Sequence, residues 1–547
     1  MPSGFASSDT RRRWLWLGGW LLAWAALACW RWSREPYLLD DAFISFRYAR
    51  NLVEGHGLVY NPGERVEGYT NLLWTLFAAG FLRLGIDPVT GTRMLGVGSY
   101  LVSTAGVAWL VVRDPAPRPI WKHLALALAP LALILPAGYA GFAGTGMETS
   151  FVGLLGLALA WRGFLAPPRT RGDRAIFAAL SMALVATRLD GVPWVVLAAG
   201  VTLWQPFARG APAAPLAERV AATVRLYAPA AALLGMLLIA RFWYYGELLP
   251  NTYWAKVEGS QGLAIGWRYL QAYLAGSPQV FVALGLMAAG LLLSESAEVR
   301  RFILLAALCT AEHALYVVMV GGDFMHYRLM FHVYPLLIAA AVAGLVALDR
   351  KHALIGLASS GALAIASLAP SVLDVRYHME SLEEMHRCCA VPGITYGRRL
   401  KQVLPPDTVI ATTMAGGIAY YSGLTTIDQL GLTDREVARH GVLARPIRRG
   451  HIKRASTSYL ASRGVNLVIH HPKLFSCRQP RTKGPGAYVF IRIEADDCLR
   501  TLYLTPTPEL SRLFCSRPDA FVVRGMDCSV DLAPREAAEA QREHGQR

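Results

Sequence analysis

The sequence predicts a polytopic α-helical membrane protein with about eleven transmembrane helices and a C-terminal soluble domain of α/β or α+β class. Three observations predict it. Of 547 residues, 54% are hydrophobic and only 17% charged, whereas soluble proteins carry about 25% charged residues. The apolar residues gather into long blocks separated by short polar connectors as far as Pro370, and blocks of that length mark membrane spans. Beyond Pro370 the composition is that of an ordinary soluble protein. The expected division is a membrane domain over 1–370, with a first external loop at 31–91, and an extracytoplasmic soluble domain over 371–547.

The first element is an apolar run from Trp14 to Trp30 behind Arg11-Arg12-Arg13. No small-residue cleavage site follows it, so it reads as an uncleaved span rather than a signal peptide. The segment Gly68 to Gly85 is short, with Arg83 near its end. Counted as a span, it would put the basic stretch Arg113 to Lys122 outside, against the positive-inside rule; laid on the outer surface, it obeys the rule. Further spans then fall at 92–112, 122–137, 148–165, 175–187, 193–206, 222–242, 277–293, 301–320, 328–348 and 352–369. All the basic clusters (Arg11 to Arg13, Arg113 to Lys122, Arg169 to Arg174, Arg209 to Arg225, Arg300-Arg301, Arg350-Lys351) lie on the cytoplasmic side. This partition accounts for the net charge of +16. No basic patch interleaved with stacking aromatics points to nucleic acid. The expected location is the bacterial inner membrane, with the N-terminus cytoplasmic and the C-terminal domain periplasmic.

Cys29 and Cys309 lie in apolar segments. Cys388, Cys389, Cys477, Cys498, Cys515 and Cys528 all fall in the soluble domain, where an even number suggests disulfides in an oxidising compartment. Adjacent Cys388 and Cys389 are expected to find distant partners rather than each other. The soluble domain shows strands at Val409 to Ala411 and Val465 to His470, and a helix at Ala455 to Arg463. Gly416-Gly417 reads as a turn. His470-His471 reads as two ring faces on opposite sides of a strand, not a metal site. Ala533 to Arg547 reads as a polar helix or frayed tail.

The polar residues of the external connectors are the informative ones, because an ionisable group near hydrocarbon needs a partner or a function. Asp40-Asp41 opens an amphipathic stretch, expected as a surface helix, with Ala42, Phe46 and Ala49 on one face and Arg47 and Arg50 on another. One Asp could be an N-cap; two in succession after a membrane exit suggest a general base for a hydroxyl acceptor. A phosphate leaving group would need cations, available as Lys256, Arg47, Arg188 and Arg328. These could equally be paired structurally with Glu148, Asp190 and Asp323. Glu67, Asn71, Asn251, Tyr253 and His326 complete the candidate substrate-binding set.

The run Asp40 to Trp74 (DDAFISFRYARNLVEGHGLVYNPGERVEGYTNLLW) resembles the first periplasmic loop of the mycobacterial terminal arabinofuranosyltransferases. Shorter similarities are Gly146 to Thr149, Arg188 with Asp190-Gly191, Tyr245-Gly246 through Tyr253 with Lys256, Gly322-Asp323 with Arg328, Ile427-Asp428 with Gly431 to Asp434, and Gly450 to Lys453. Arg188 stands in Arg-Leu-Asp where relatives would show Arg-Pro-Asp. The resemblance implies a GT-C membrane glycosyltransferase that uses a polyprenyl-phosphate sugar, arabinofuranose among the candidates. Its partners would be that lipid-linked donor, an envelope glycan or glycolipid acceptor, and the bilayer. The family's paired acidic motif maps onto Asp40 and Asp41, and an inverting displacement is expected. No cofactor is required; a divalent metal is compatible but unnecessary where cationic side chains are available. The competing readings are a transporter or flippase of lipid-linked sugars, which would need ionisable groups at mid-membrane depth, and a non-catalytic envelope scaffold.

Overall fold

The computed structural model describes residues 8–34, 37–112, 128–205, 214–256, 259–372, 381–448, 451–469, 473–479, 482, 486–494 and 496–528. Arg113 to Lys122, Arg209, Gly450, His470-His471 and Ala533 to Arg547 lie outside these. The chain is helical from Ser8 to Val372 and then builds a sheet flanked by helices. It is a polytopic membrane protein. Among the described residues, Pro88–Val111, Leu216–Tyr245 and Ala297–Met319 are long and apolar enough to cross a bilayer. Gly262–Ala275 and Pro278–Leu293 meet at 82° and could together form a fourth. The helix Gly259–Ala275 was not foreseen; Gln261, Trp267, Arg268 and Tyr269 dilute its hydropathy. The helix Leu72–Arg83 has 12 residues. At about 1.5 Å per residue it falls well short of a ~30 Å hydrocarbon core.

The polar connectors sort to two ends of the bundle. At one end Arg219 donates to the Leu203 carbonyl, Arg301 to that of Gln205 and Arg300 to that of Leu291, while Lys351 pairs with Glu295. A cavity of about 280 Å³ lies there, lined by Leu110, Leu165, Leu293, Ala347 and Arg350 among others. At the other end sit Asn71, Glu148, Arg188, Asp190, Asp323 and Arg328, joined by the contacts described below. Arg219, Arg300, Arg301 and Lys351 thus lie at the end opposite the candidate site.

In the C-terminal part, strands β1 (Val409–Thr412), β2 (Thr425–Asp428), β5 (Leu467–Ile469), β7 (Ala487–Glu494), β8 (Asp497–Tyr503) and β9 (Phe521–Arg524) lie in the order β2-β1-β5-β8-β7-β9. The strand β6 (Leu474–Ser476) pairs with β8, and β3 (Val442–Arg448) forms a separate ribbon with β4 (His451–Arg454). The β2, β1 and β5 strands are parallel; β5, β8, β7 and β9 are antiparallel. Ile410, Leu467, Val489, Leu499 and Phe514 fill the core between sheet and helices. Disulfides join Cys477 to Cys498 and Cys515 to Cys528. Cys388 and Cys389 form no disulfide, and their sulfurs lie 2.8 Å apart. That corrects the expectation of distant partners: the two sit in one helical turn, His386–Ala390, and the other four cysteines of this part are taken up by the two bridges.

Candidate active site

The helix Asp40–Val53 is not the open surface helix expected from its amphipathic pattern. Its residues Ala42 to Ala49 are all buried, packed between Leu72–Arg83 on one side and Gly417–Ser422 of the C-terminal part on the other. The sequence pattern revealed one apolar face; the polar face is buried too, because the C-terminal part supplies backbone acceptors for it. Arg47 donates through Nε to the Tyr60 carbonyl (2.7 Å) and through Nη2 to Asn61 (3.0 Å) and the Leu424 carbonyl (2.8 Å), with Nη1 on the Ala419 carbonyl. Arg50 donates to the Tyr420 carbonyl at 2.5 Å. Tyr60 donates to the Ala415 carbonyl at 2.6 Å, and Asn61 exchanges hydrogen bonds with Thr426. Arg47 therefore has its donors engaged by protein and rivets the loop in place, in contrast to the phosphate-binding part considered for it.

The two carboxylates of the acidic pair face different surroundings. Neither caps its own helix, whose N-cap is Leu39. Asp40 instead accepts from the backbone N–H groups of Gly416 (3.0 Å) and Gly417 (2.8 Å), at the start of Gly417–Ser422. The glycine pair is thus more than a turn: it cradles a carboxylate from the other half of the chain. A Cβ at Gly416 would run into the Asp40 carbonyl oxygen. Burial pushes the Asp40 carboxyl up to about 7, against the pull of the two N–H groups. Asp41 turns to the membrane half. Burial raises its pKa, the positive charges of Arg328 and Lys256 oppose that rise, and Asp323 and Glu148 add to it.

Near Asp41 the polar side chains form two bonded groups, one around Arg188 and Glu148 and one of Arg328 with Asp323. Arg188 grips both oxygens of Asp190 (Nε to Oδ1 2.8 Å, Nη2 to Oδ2 3.0 Å) and donates to Glu148 at 2.7 Å. Asn71 donates to the other Glu148 oxygen (2.8 Å) and accepts from Ser45 (3.0 Å) and Thr75 (3.2 Å). Arg328 pairs with Asp323 at 2.5 Å, while its buried Nε has no hydrogen-bond partner among the described residues. Lys256 closes the short helix Asn251–Lys256 and has no ion-pair partner among the described residues. His326 is half-buried and holds a positive φ of 28°.

Other candidates act elsewhere. Glu67 is clasped by Arg241 (2.5 and 3.0 Å), a residue the charge pattern had not singled out inside an apolar helix. Asn251 donates to the carbonyls of Gly431, Leu432 and Asp434, fastening its helix to the C-terminal part. Tyr253 is 40% exposed and stacks edge-on against Trp254. Asp428 accepts from the backbone of Leu430 and Thr433, and burial pushes its carboxyl up to about 6. Asp434 gathers Tyr459 and Arg463, and Arg463 reaches back to Glu64.

The overall fold resembles those of two solved proteins. The chain superposes on ArnT from Cupriavidus metallidurans in the apo state with a TM-score of 0.50 at 13% identity, covering 90% of this chain and 99% of that one. The undecaprenyl phosphate-bound form of ArnT gives 0.51 at 12% identity, covering 89% and 99%. The archaeal oligosaccharyltransferase AglB from Archaeoglobus fulgidus gives 0.51 at 10% identity, covering 83% and 69%. In sequence, the chain is similar to the terminal β-(1→2)-arabinofuranosyltransferases. It is 28% identical to that of Mycobacterium tuberculosis over 364 residues, 61% of this chain and 56% of that protein. It is 26% identical to that of Corynebacterium glutamicum over 360 residues, 58% of this chain and 49% of that protein. The chain thus spans about half the length of the curated relatives it matches. Residues 381–510 match a domain of unknown function, DUF8728.

Proposed function

We propose that the chain is a membrane glycosyltransferase that moves a sugar, arabinofuranose being the first candidate, from a polyprenyl-phosphate donor to an extracytoplasmic glycan or glycolipid. The observation that carries the reading is the setting of Asp41. It is a half-buried carboxylate under the influence of Lys256 and Arg328, and Arg328 holds a buried donor with no protein partner. A base for a hydroxyl and cations for a leaving phosphate are the two requirements of such a transfer. The sequence similarity to arabinofuranosyltransferases and the GT-C fold support the same class.

In this mechanism the Asp41 carboxylate takes the proton of the acceptor hydroxyl. The hydroxyl oxygen attacks the anomeric carbon as the bond from that carbon to the phosphate oxygen breaks. The electron pair leaves with the polyprenyl phosphate, whose charge is met by Lys256 and Arg328. One displacement inverts the anomeric centre. Asp40 is a positioning residue that locks the Asp40–Val53 helix to the glycine pair. Glu148, Arg188, Asn71 and Asp190 hold the floor of the site; Asp323 orients Arg328; His326 and Tyr253 offer contacts to substrate. No step in this scheme requires a metal, and the carboxylates around Asp41 would accept a divalent ion.

The same reading assigns about eleven spans and divides the chain into membrane and soluble domains at residue 370/371. The site and the C-terminal domain lie on the periplasmic side of the inner membrane. Two disulfides in that domain favour an oxidising compartment. The test is purification of the full chain in mild detergent, followed by mass spectrometry of the lipid it retains. A prenyl phosphate or prenyl-phosphate sugar is expected; a chain that retains none and transfers no sugar from a synthetic prenyl-phosphate arabinofuranose refutes the proposal.

A further inference from the structure

Behind the Arg188 fork lies a second cluster, which shares Asp190 with the floor of the site and adds two histidines that the transfer scheme leaves unused. Asp190 sits in the turn Leu189–Gly191, His313 in the helix Ala297–Met319, and His332 just before Tyr334–Lys351. One potential ligand atom from each lies within 4.8 Å of the other two, and all three residues are buried. His313 is 0% exposed and His332 1%.

The hydrogen bonding of the imidazoles is unusual for a sealed interior. His313 Nε2 lies 2.8 Å from the Leu329 carbonyl oxygen. A carbonyl only accepts, so Nε2 carries the proton and Nδ1 keeps its lone pair. Among the described residues that Nδ1 has no hydrogen-bond partner, and neither nitrogen of His332 has one. The Asp190 oxygen nearest His332 Nδ1 is 3.8 Å away, beyond hydrogen-bond distance. Buried polar atoms in folded proteins are almost always satisfied. Here three imidazole nitrogens from two rings are not.

A metal-ligating histidine commonly donates its other ring N–H to a carbonyl or carboxylate, which fixes the tautomer and aims the lone pair. His313 already has that arrangement. The charges agree: Arg188 contributes one positive charge against the two negative ones of Asp190 and Glu148, its direct partners. The neutral imidazoles leave the cluster with a negative excess that a dication would offset. The Asp190 carboxylate can serve Arg188 and a metal together, since its two oxygens offer about four lone-pair sites. Two imidazoles with one carboxylate suit zinc, whose bonds of about 2.0–2.2 Å place tetrahedral ligand atoms roughly 3.3 Å apart. The His332–Asp190 separation of 3.8 Å lies about 0.5 Å above that spacing, and the ligand atoms of the whole cluster lie within 4.8 Å of one another.

We propose that Asp190, His313 and His332 form a buried zinc site that pins three helical segments together behind the Arg188–Glu148 network. It is a structural site, distinct from Asp41, that takes no step in the transfer and shares only Asp190 with the floor of the site. The experiment uses the full-length chain without a polyhistidine tag, purified in detergent. Metal content is measured by plasma mass spectrometry, and the chelated protein is titrated with Zn²⁺ and with Co²⁺. Expected are stoichiometric zinc, a higher Tm on zinc addition, and a visible ligand-field band for the cobalt form. His313→Gln and His332→Gln should each weaken zinc binding at least ~10-fold. His440→Gln, on an exposed position of the C-terminal part, should leave it unchanged. Zinc binding that survives both inner variants overturns the site. Where the variants fail to fold, the cobalt spectrum of the unaltered protein decides: absence of a ligand-field band overturns it as well.

Discussion

Replacing Asp40 and Asp41 one at a time separates their roles. Asp41→Asn removes the proposed base while keeping shape and hydrogen-bonding capacity. General-base catalysis contributes roughly 10²–10⁴-fold, which at about 1.36 kcal/mol per decade corresponds to ~3–5 kcal/mol of barrier. Folding should barely notice, because burial already disfavours the Asp41 carboxylate, and a neutral amide avoids that cost. Asp40→Asn is the opposite case. Its partners are the two backbone N–H groups of Gly416 and Gly417. An amide oxygen can still accept from one of them, so the expected loss is one hydrogen bond, about 1 kcal/mol, partly recovered by removing a charge that burial penalises. Asp40→Ala leaves both N–H groups without an acceptor, at about 1–3 kcal/mol each. The assay is transfer of labelled sugar from a synthetic prenyl-phosphate donor to an acceptor oligosaccharide, with Tm measured on the same preparations. Asp41→Asn should lose at least ~100-fold in rate at nearly unchanged Tm. Asp40→Asn should stay within ~10-fold, and Asp40→Ala should lower Tm. If Asp40→Asn abolishes transfer at full stability while Asp41→Asn is active, the assignment of the base is wrong.

The Asp40 and Asp428 carboxyls titrate higher in the folded chain (about 7 and about 6) than the ordinary 3.8, so the folded state holds extra protons between. Their stabilising effect is full below about pH 4 and is lost as pH rises through 6–7. The stability difference between Asp40→Asn and the unaltered chain, read from Tm, should therefore move in favour of the variant as pH rises from about 5 to about 8, by on the order of 1–2 kcal/mol after solvent screening; a pH-independent difference contradicts this. Arg188→Met leaves Asp190 and Glu148 buried without their cation and should cost about 3–5 kcal/mol, seen as a large drop in Tm. Gly416→Ala forces apart the Asp40 carbonyl and the glycine pair and should cost about 1–3 kcal/mol, with faster limited proteolysis between the two halves. Reducing the Cys477–Cys498 bridge, which closes a 21-residue separation, should destabilise the sheet region by about 3 kcal/mol, read from Tm with and without reductant.

Much of the architecture was legible because hydropathy and charge act locally. The apolar blocks mark the helices, and the arginine and lysine clusters at 300–301 and 350–351 do fall together at one end of the bundle. The strand at Val409 and the helix ending near Gly464 were readable from periodicity and from a glycine stop. The bent pair at Ala275–Pro278 was not, because Gln261, Trp267, Arg268 and Tyr269 dilute the hydropathy of its first helix. Ala42, Phe46 and Ala49, read as one face of Asp40–Val53, and Arg47, read as another, are buried together, since a second layer from residues beyond 410 covers the polar side. Periodicity along a helix says which faces differ; it is silent about what arrives later in the chain to cover them.

The acidic pair shows the same limit at the level of chemistry. Adjacent carboxylates on a helix point about 100° apart, so two neighbours in sequence need not share an environment. Here one is held by backbone N–H groups of the C-terminal part and the other faces the cations of the membrane half. Lys256 and Arg328 could be proposed from charge alone, but Arg47 and Arg188 carried the same signal and proved to be engaged by carbonyls and by carboxylates respectively. What distinguishes Arg328 is an unsatisfied donor, a property of three-dimensional partnering. His313 and His332 are the extreme case. A single histidine in an apolar helix carries no spacing signal, and 18 positions separate the two along the chain. Their meaning as a pair rests on Leu329 fixing one tautomer and on Asp190 arriving from another helix. A buried site built by one residue from each of three segments is invisible to any local window, whereas its orphaned nitrogens are evident once the helices are assembled.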